Sequence, residues 1–577
     1  MASCRQLDAS RGAPVWCPLI SVVLSGILFC PAALVSQARQ AGVFDQHTKL
    51  EQLVVEERWQ EIIALAPHLA PSPDVAFAYG VALARLGRFR EAEAALQDGH
   101  RLSPHDTRFL VELAGVAFKQ GNYPIARAWI ERAQRIVPRD DYIVDFLATV
   151  LYLEGNLEAA LALWNRIDKP HIESIVLDPR PQINPILLDR ALAFSPATTL
   201  RLGDLWTSEA RIDQLGVFSA LRYDLRARSQ GNFVLQLVNR ERHGCAERSW
   251  QCLLVIFGET PGQTLNFHYY NLGRGAINIR SSFRWDEEKR RIRGQLDLPL
   301  AHTPQWHLRL GTDLRNENWA IRNSFSGPSP LLAALNLKRE AALAEFDDVL
   351  SWRWKWSTTT EIAHSSYHNV LPGNLLTSTL LSSGVQLKQT VSLGSELLRA
   401  PERHFNIASA ASFAVARLWS NPGRDFAQLT TLLNFHWLSS AAEKYEVEHV
   451  LKVGRTFGDP PFSELFTLGV LGDTDLRLKA HIATRDGKKG SSPFGRNYLV
   501  SNWDATRNFR PWSLAQVKVG PFVDTGKVSD PLTSLPQHRW LWDVGLEAKV
   551  NAFGFGLVLS YGRDLRAGHG ALVLASQ

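Results

Sequence analysis

The sequence has 577 residues, with 63 Lys and Arg against 57 Asp and Glu and a single Met. At roughly 100 to 200 residues per domain, that length predicts several domains rather than one. With 45% hydrophobic and 21% charged residues it is neither a wholly disordered chain nor a bundle of membrane helices, and a net charge of +6 over such a length predicts no nucleic-acid partner.

Arg5 and Arg11 precede an uncharged stretch that is apolar from Val15 to Val35 and ends in Ser36-Gln37-Ala38. This layout predicts a secretory signal peptide over residues 1–38, with an uncleaved membrane anchor as the competing reading. Leu28-Phe29-Cys30 has the outline of a lipoprotein box, but bulky Phe29 argues against lipidation. Cys4, Cys17 and Cys30 fall in the leader, leaving Cys245 and Cys252 as a candidate local disulfide of an exported protein or as two free thiols. No Cys or His cluster with metal spacing surrounds them, so neither a metal nor a cofactor is expected.

Residues 39–169 read as a repeat domain. Gly87, Gly121 and Gly155 recur at a step of 34, as do Ala92, Ala126 and Ala160. Arg58-Trp59-x-x-Ile62 suggests an earlier half-repeat. The pattern resembles tetratricopeptide (TPR) repeats: glycine turns the chain between two helices, and alanine lets them approach. The resemblance implies an all-α array whose groove takes a client polypeptide or a partner, or a short spacer without a ligand.

Residues 170–243 read as a small α+β module: a strand at Ile172–Leu177, helices at Ile186–Phe194 and Leu202–Leu215, then strands at Phe218–Leu225 and Phe233–Val238. The phrase Arg211-Ile212-x-x-Leu215-Gly216-x-Phe218 resembles one that ends the second helix of POTRA (polypeptide-transport-associated) domains. That resemblance implies a third strand with an exposed edge able to add a client strand. A plain linking domain is the alternative.

Residues 244–577 alternate with period two. Trp542, Val544, Leu546 and Ala548 interleave with Asp543, Glu547 and Lys549, and Leu308, Leu310 and Leu314 interleave with His307, Arg309 and Asp313. Tryptophans recur near predicted strand ends, as aromatic girdles require. The pattern predicts an antiparallel transmembrane β-barrel of about 16 strands with a charged lumen, against the alternative of a soluble β-domain.

Three phrases in the barrel resemble the POTRA-plus-barrel superfamily of outer-membrane assembly and secretion proteins, the BamA-, TamA- and FhaC-like bacterial surface antigen barrels. Tyr270-Asn271-Leu272-Gly273-Arg274-Gly275 is similar to the turn after that family's first strand. Pro461 to Gly469 is similar to the strand before its long sixth loop, and Phe522-Val523-Asp524-Thr525-Gly526 to its F-x-D-x-G strand. The family's loop tip, V-R-G followed by an aromatic or His, reads here Leu478-Lys479-Ala480-His481. The resemblance implies that Lys479 pairs with Asp524 inside the barrel, with His481 beside them; ordinary lumen charges are the alternative. Lysine lacks the planar fork of arginine, and Ala480 lacks the backbone freedom of glycine. The turn-rich basic stretch Arg485 to Pro493 suits a loop folded into a lumen.

The resemblance implies an outer-membrane protein with TPR and POTRA modules in the periplasm. Its partners would be outer-membrane lipid, a client polypeptide held by the POTRA edge strand and the TPR groove, and a periplasmic chaperone or partner subunit. The client would be inserted into the membrane or passed across it. A passive polysaccharide porin and a surface-lipoprotein translocator are the alternatives. No phosphate-binding loop, nucleophile elbow or H-E-x-x-H sequence occurs, so no catalytic residue is expected.

Overall fold

A computed structural model describes residues 48–228, 232–245, 263–322, 329–373, 376–439, 444–469, 476–512, 515–529, 540–552 and 555–576. The predicted signal segment and Cys252 lie outside them; Cys245 is disulfide-bonded. The described residues form two compact units, divided between Val116 and Ala117.

The first unit carries α1 (Trp59–Leu65), α2 (Pro73–Arg85), α3 (Phe89–Leu102) and the start of α4 (Thr107–Lys119). Ser72 caps α2 by accepting from the Val75 N–H, and Pro73 occupies the first helical position, where a missing N–H costs nothing. Gly87 ends α2 at φ +76°, a left-handed conformation that glycine adopts without strain. Gly99 lets Phe109 pack where a Cβ would stand only 2.3 Å from the ring.

The second unit carries the rest of α4, then α5 (Tyr123–Ile136), α6 (Asp141–Leu153) and α7 (Leu157–Trp164). Gly121 and Gly155 repeat the left-handed turn of Gly87, and Ala92, Ala126 and Ala160 are all fully buried. Within the second unit the 34-residue step, Gly121 to Gly155 and Ala126 to Ala160, is therefore a structural period.

The α+β module follows as β1 (His171–Asp178), α8 (Pro185–Ala191), β2 (Thr198–Thr199), α9 (Leu202–Gln214), β3 (Phe218–Ala227) and β4 (Asn232–Glu241). Its sheet order is β2-β1-β4-β3, with β4 parallel to β1 and antiparallel to β3. The strand containing Phe233–Val238 is thus central, which corrects the expected exposed edge. Its consecutive buried residues Val234, Leu235, Gln236 and Leu237 show that both faces of this strand are covered. The edges are the two-residue β2 and the long β3, and the Tyr152 hydroxyl from α6 donates to the Leu225 carbonyl of β3.

The rest is a closed, predominantly antiparallel barrel. Ten strands lead up to the inward loop: β5 (Thr264–Leu272), β6 (Ile277–Trp285), β7 (Lys289–Leu300), β8 (Thr303–Arg322), β9 (Leu331–Val349), β10 (Trp354–His368), β11 (Gly384–Ala400), β12 (Phe405–Trp419), β13 (Arg424–Leu438) and β14 (Tyr445–Gly458). Four two-residue strands lie in that loop, β15 (Phe466–Thr467), β16 (Thr484–Arg485), β17 (Lys488–Lys489) and β18 (Phe494–Gly495). The wall resumes with β19 (Asn497–Trp512), β20 (Ala515–Ser529), β21 (Leu541–Ala552), β22 (Phe555–Asp564) and β23 (Gly570–Ser576). Against the expected number of about 16, the closed sheet has 17 strands among the described residues, because β16 and β17 of the loop join it.

Polarity is inverted relative to a soluble core. Leu546 is 61% exposed while its neighbour Glu547 is 4% exposed, and on β8 Leu310 and Leu314 face out while His307 and Glu317 are buried. Trp285, Trp306, Trp354, Trp419 and Trp542 are exposed near strand ends. An apolar outer surface, aromatic ends and a charged interior describe a membrane barrel. No helix among the described residues is long and apolar enough to cross a membrane.

Candidate functional site

Two of the resembling phrases meet in space. Asn278 donates to the Leu215 carbonyl (2.8 Å) and Asn271 donates to Glu241 (2.6 Å), so the β5–β6 turn is bonded to the α+β module. A Cβ on Gly216, which lies at φ +68°, would stand 3.1 Å from Asn278, and Leu215, Val217 and Ala276 share one apolar cluster. The glycine of the first phrase and two buried asparagines, Asn271 within the second phrase and Asn278 just after it, are the two halves of one joint.

A second joint gathers other short turns at this end. The Arg399 guanidinium bonds Glu158 of α7 (2.6 Å) and Glu209 of α9 (3.2 Å) and lies over the Trp206 ring at 4.7 Å. Trp206 in turn packs on Trp352 of the β9–β10 turn, ring centroids 4.6 Å apart. Burial raises the Glu209 carboxyl above its ordinary range, and Arg399 opposes that rise.

The loop between β14 and β19 folds into the lumen. Pro461 to Gly469 was expected to be a wall strand and instead forms a 3-10 turn (Phe462–Glu464) followed by β15. Pro460 and Pro461 have no N–H to give a sheet ladder, which accounts for the difference. Glu464, 8% exposed, accepts from Lys388 (2.9 Å), Gln386 (3.0 Å) and Arg339 (3.3 Å) of the barrel wall. Phe462 packs edge-on against Trp319 and Phe494.

Further along, Asp486 and Gly487, both at positive φ, turn a tight hairpin between β16 and β17. Lys489 pairs with Trp319 of β8 and reaches Glu317 at 3.4 Å. Gly490 sits at φ +121°, where a Cβ would meet the Ala320 carbonyl at 2.6 Å.

The loop tip brings Lys479, His481 and Asp524 together in a different order from that expected. The Lys479 backbone N–H donates to Asp524 (3.0 Å), which also accepts from Asn502 (2.8 Å). The Lys479 ammonium is nearest Asp504 (2.6 Å), then Glu547 (3.5 Å) and Asp524 (3.8 Å), and lies 4.2 Å from the Phe522 ring centroid. The Ala480 N–H donates to Asp543 (2.7 Å), and Ala480 is not among the residues at positive φ. Glycine is therefore not needed for backbone freedom at position 480; space for the tip comes from the wall, where a Cβ on Gly562 would stand 3.0 Å from the Ala480 nitrogen.

His481 is fully buried, with Nδ1 2.8 Å from Asp543. Beneath the tip, Glu446, Glu448, Asp504, Lys518 and Lys549 line a polar cavity of about 220 Å³. The arrangement is an electrostatic clasp and contains no nucleophile–base pair. Sequence reasoning missed Glu464, although it stands inside a quoted phrase, and missed Asp504, Asp543 and Glu547, which no motif marks.

Tetratricopeptide-repeat family models match residues 75–141 and 145–166, so these residues carry TPR repeats. No curated protein matches the chain. Solved structures similar to it include CdiB from Escherichia coli, at 13% identity and TM-score 0.46, covering 71% of this chain and 75% of that one. CdiB from Acinetobacter baumannii is 13% identical at TM-score 0.42, covering 77% and 80%. BamA from Haemophilus ducreyi lacking POTRA domains 1–3 is 11% identical at TM-score 0.41, covering 70% and 84%.

Proposed function

We propose that this chain is an outer-membrane protein whose TPR and POTRA-like modules lie in the periplasm, receive a client polypeptide, and pass it to a barrel that inserts it into the membrane or moves it across. The observation that carries the reading is the inward loop. Ties at Glu464, Lys479 and Lys489 hold it across the lumen, an obstruction that a passive sugar porin would have to work around. The joint of the α+β module with the β5–β6 turn adds a fixed relay between the module and the wall.

The test is reconstitution of the purified chain in liposomes, with photo-crosslinking residues placed singly along β3 and β4. Crosslinks of an unfolded outer-membrane client to positions 218–227, and few to the central strand at 233–238, are expected. A client that crosslinks nowhere on the module, together with conductance blocked by oligosaccharide, would overturn the reading in favour of a sugar pore.

A further inference from the structure

At the end of the barrel away from the α+β module, the loop tip meets the β22–β23 hairpin through a group of donors that the clasp does not require. His481 Nε2 stands 3.5 Å from Asp564 Oδ2, and His569 Nδ1 lies 3.5 Å from the same oxygen. The two imidazole rings are 5.1 Å apart and nearly perpendicular (88°). One ligand atom from each of His481, Asp564 and His569 lies within 4.8 Å of the others.

The separations favour a bound ion over direct bonding. An N–H···O hydrogen bond spans about 2.7–3.2 Å, whereas a tetrahedral ion with donors at about 2.0–2.1 Å holds those donors about 3.4 Å apart. Both 3.5 Å separations agree with the second distance. The donors are also pre-oriented. Asp543 lies 2.8 Å from His481 Nδ1, which leaves Nε2 as the ring nitrogen nearest Asp564. Asp564 accepts from the backbone N–H groups of Arg566 (2.8 Å) and Ala567 (3.1 Å), which fixes its carboxylate before a cation arrives. Two imidazoles and one carboxylate suit a zinc-class divalent ion rather than magnesium or calcium, which prefer all-oxygen shells.

We propose that His481, Asp564 and His569 bind one divalent transition-metal ion of the zinc class, oriented by Asp543, and that the ion fastens the loop tip to the last hairpin of the barrel. Two of the ligands belong to the wall and one to the loop, so occupancy of the site reports directly on loop position.

The test uses the full chain in detergent, stripped with chelator and titrated with zinc alone. One zinc per chain is expected by elemental analysis, with slower hydrogen exchange over residues 476–489 when zinc is bound. His569→Ala, a change in a surface turn that leaves the buried clasp intact, should lower zinc affinity by at least tenfold and abolish the exchange effect. Asp543→Asn should weaken binding by about 10- to 100-fold. Unheated electrophoretic mobility verifies that each variant is a folded barrel. The proposal is overturned if the folded parent takes up no stoichiometric zinc, if His569→Ala binds as the parent does, or if magnesium competes at equal concentration.

Discussion

The Lys479 ammonium is neutralised first by Asp504 rather than by Asp524. It sits 2.6 Å from Asp504 and 3.8 Å from Asp524, while Asp524 is satisfied by the Lys479 backbone N–H and by Asn502. A double-mutant cycle of Lys479→Met with Asp504→Asn should therefore show a larger coupling, within about 0.5–3 kcal/mol, than one with Asp524→Asn. Lys479→Met alone leaves several lumen carboxylates without their cation and should cost about 3–5 kcal/mol, measured by denaturant unfolding. Lys479 and Asp524 could be singled out in the sequence because each stands in a phrase with fixed neighbours. Asp504, Asp543 and Glu547 could not, because alternation tells which face a residue occupies and is silent about depth along the strand and about what the loop brings to it. His569, and its meeting with His481, escaped for a related reason. The two residues are far apart in the chain and meet only because the loop folds back through the barrel.

At the level of elements, the repeat period, the helices of the α+β module and the barrel alternation were legible, because each is a local periodicity. The pairing order was not. Nothing local to Phe233–Val238 distinguishes an edge strand from a central one until β4 crosses over to lie parallel to β1. Two predictions belong here. Gly490→Ala places a side chain where φ is +121° and the Ala320 carbonyl is 2.6 Å away. It should cost about 1–3 kcal/mol of backbone strain and release the β16–β17 hairpin, seen as faster proteolysis at residues 484–490. Arg399→Ala removes the cation that Glu158 and Glu209 share. It should loosen α7 and α9 from the β11–β12 turn by about 1–2 kcal/mol, since the group is partly solvated, and raise hydrogen exchange over residues 157–164 and 202–214. Arg399→Lys should recover only part of the effect, because one ammonium cannot bond both carboxylates with a planar fork.

Across the whole molecule, composition held the main clue in a form that needed the fold to interpret it. A 21% charged fraction argues against membrane helices, yet it suits a membrane protein whose charges line a lumen. If the loop closes that lumen, Glu464→Gln should weaken its hold on Arg339 and Lys388 and raise single-channel conductance in planar bilayers, with the unheated barrel still intact by electrophoresis. Unchanged conductance would mean that the loop does not set the bore.

The loop's attachments also have a mechanical consequence. They fall on two separate arcs of the wall, β8 to β13 on one side and β19 to β22 on the other. A hoop of strands deforms easily into an ellipse, whereas a hoop with a spoke across it resists flattening along that diameter. The stiff axis of this barrel is therefore set by the spoke, and pulling on a single strand would load the opposite arc before the neighbouring strands yield.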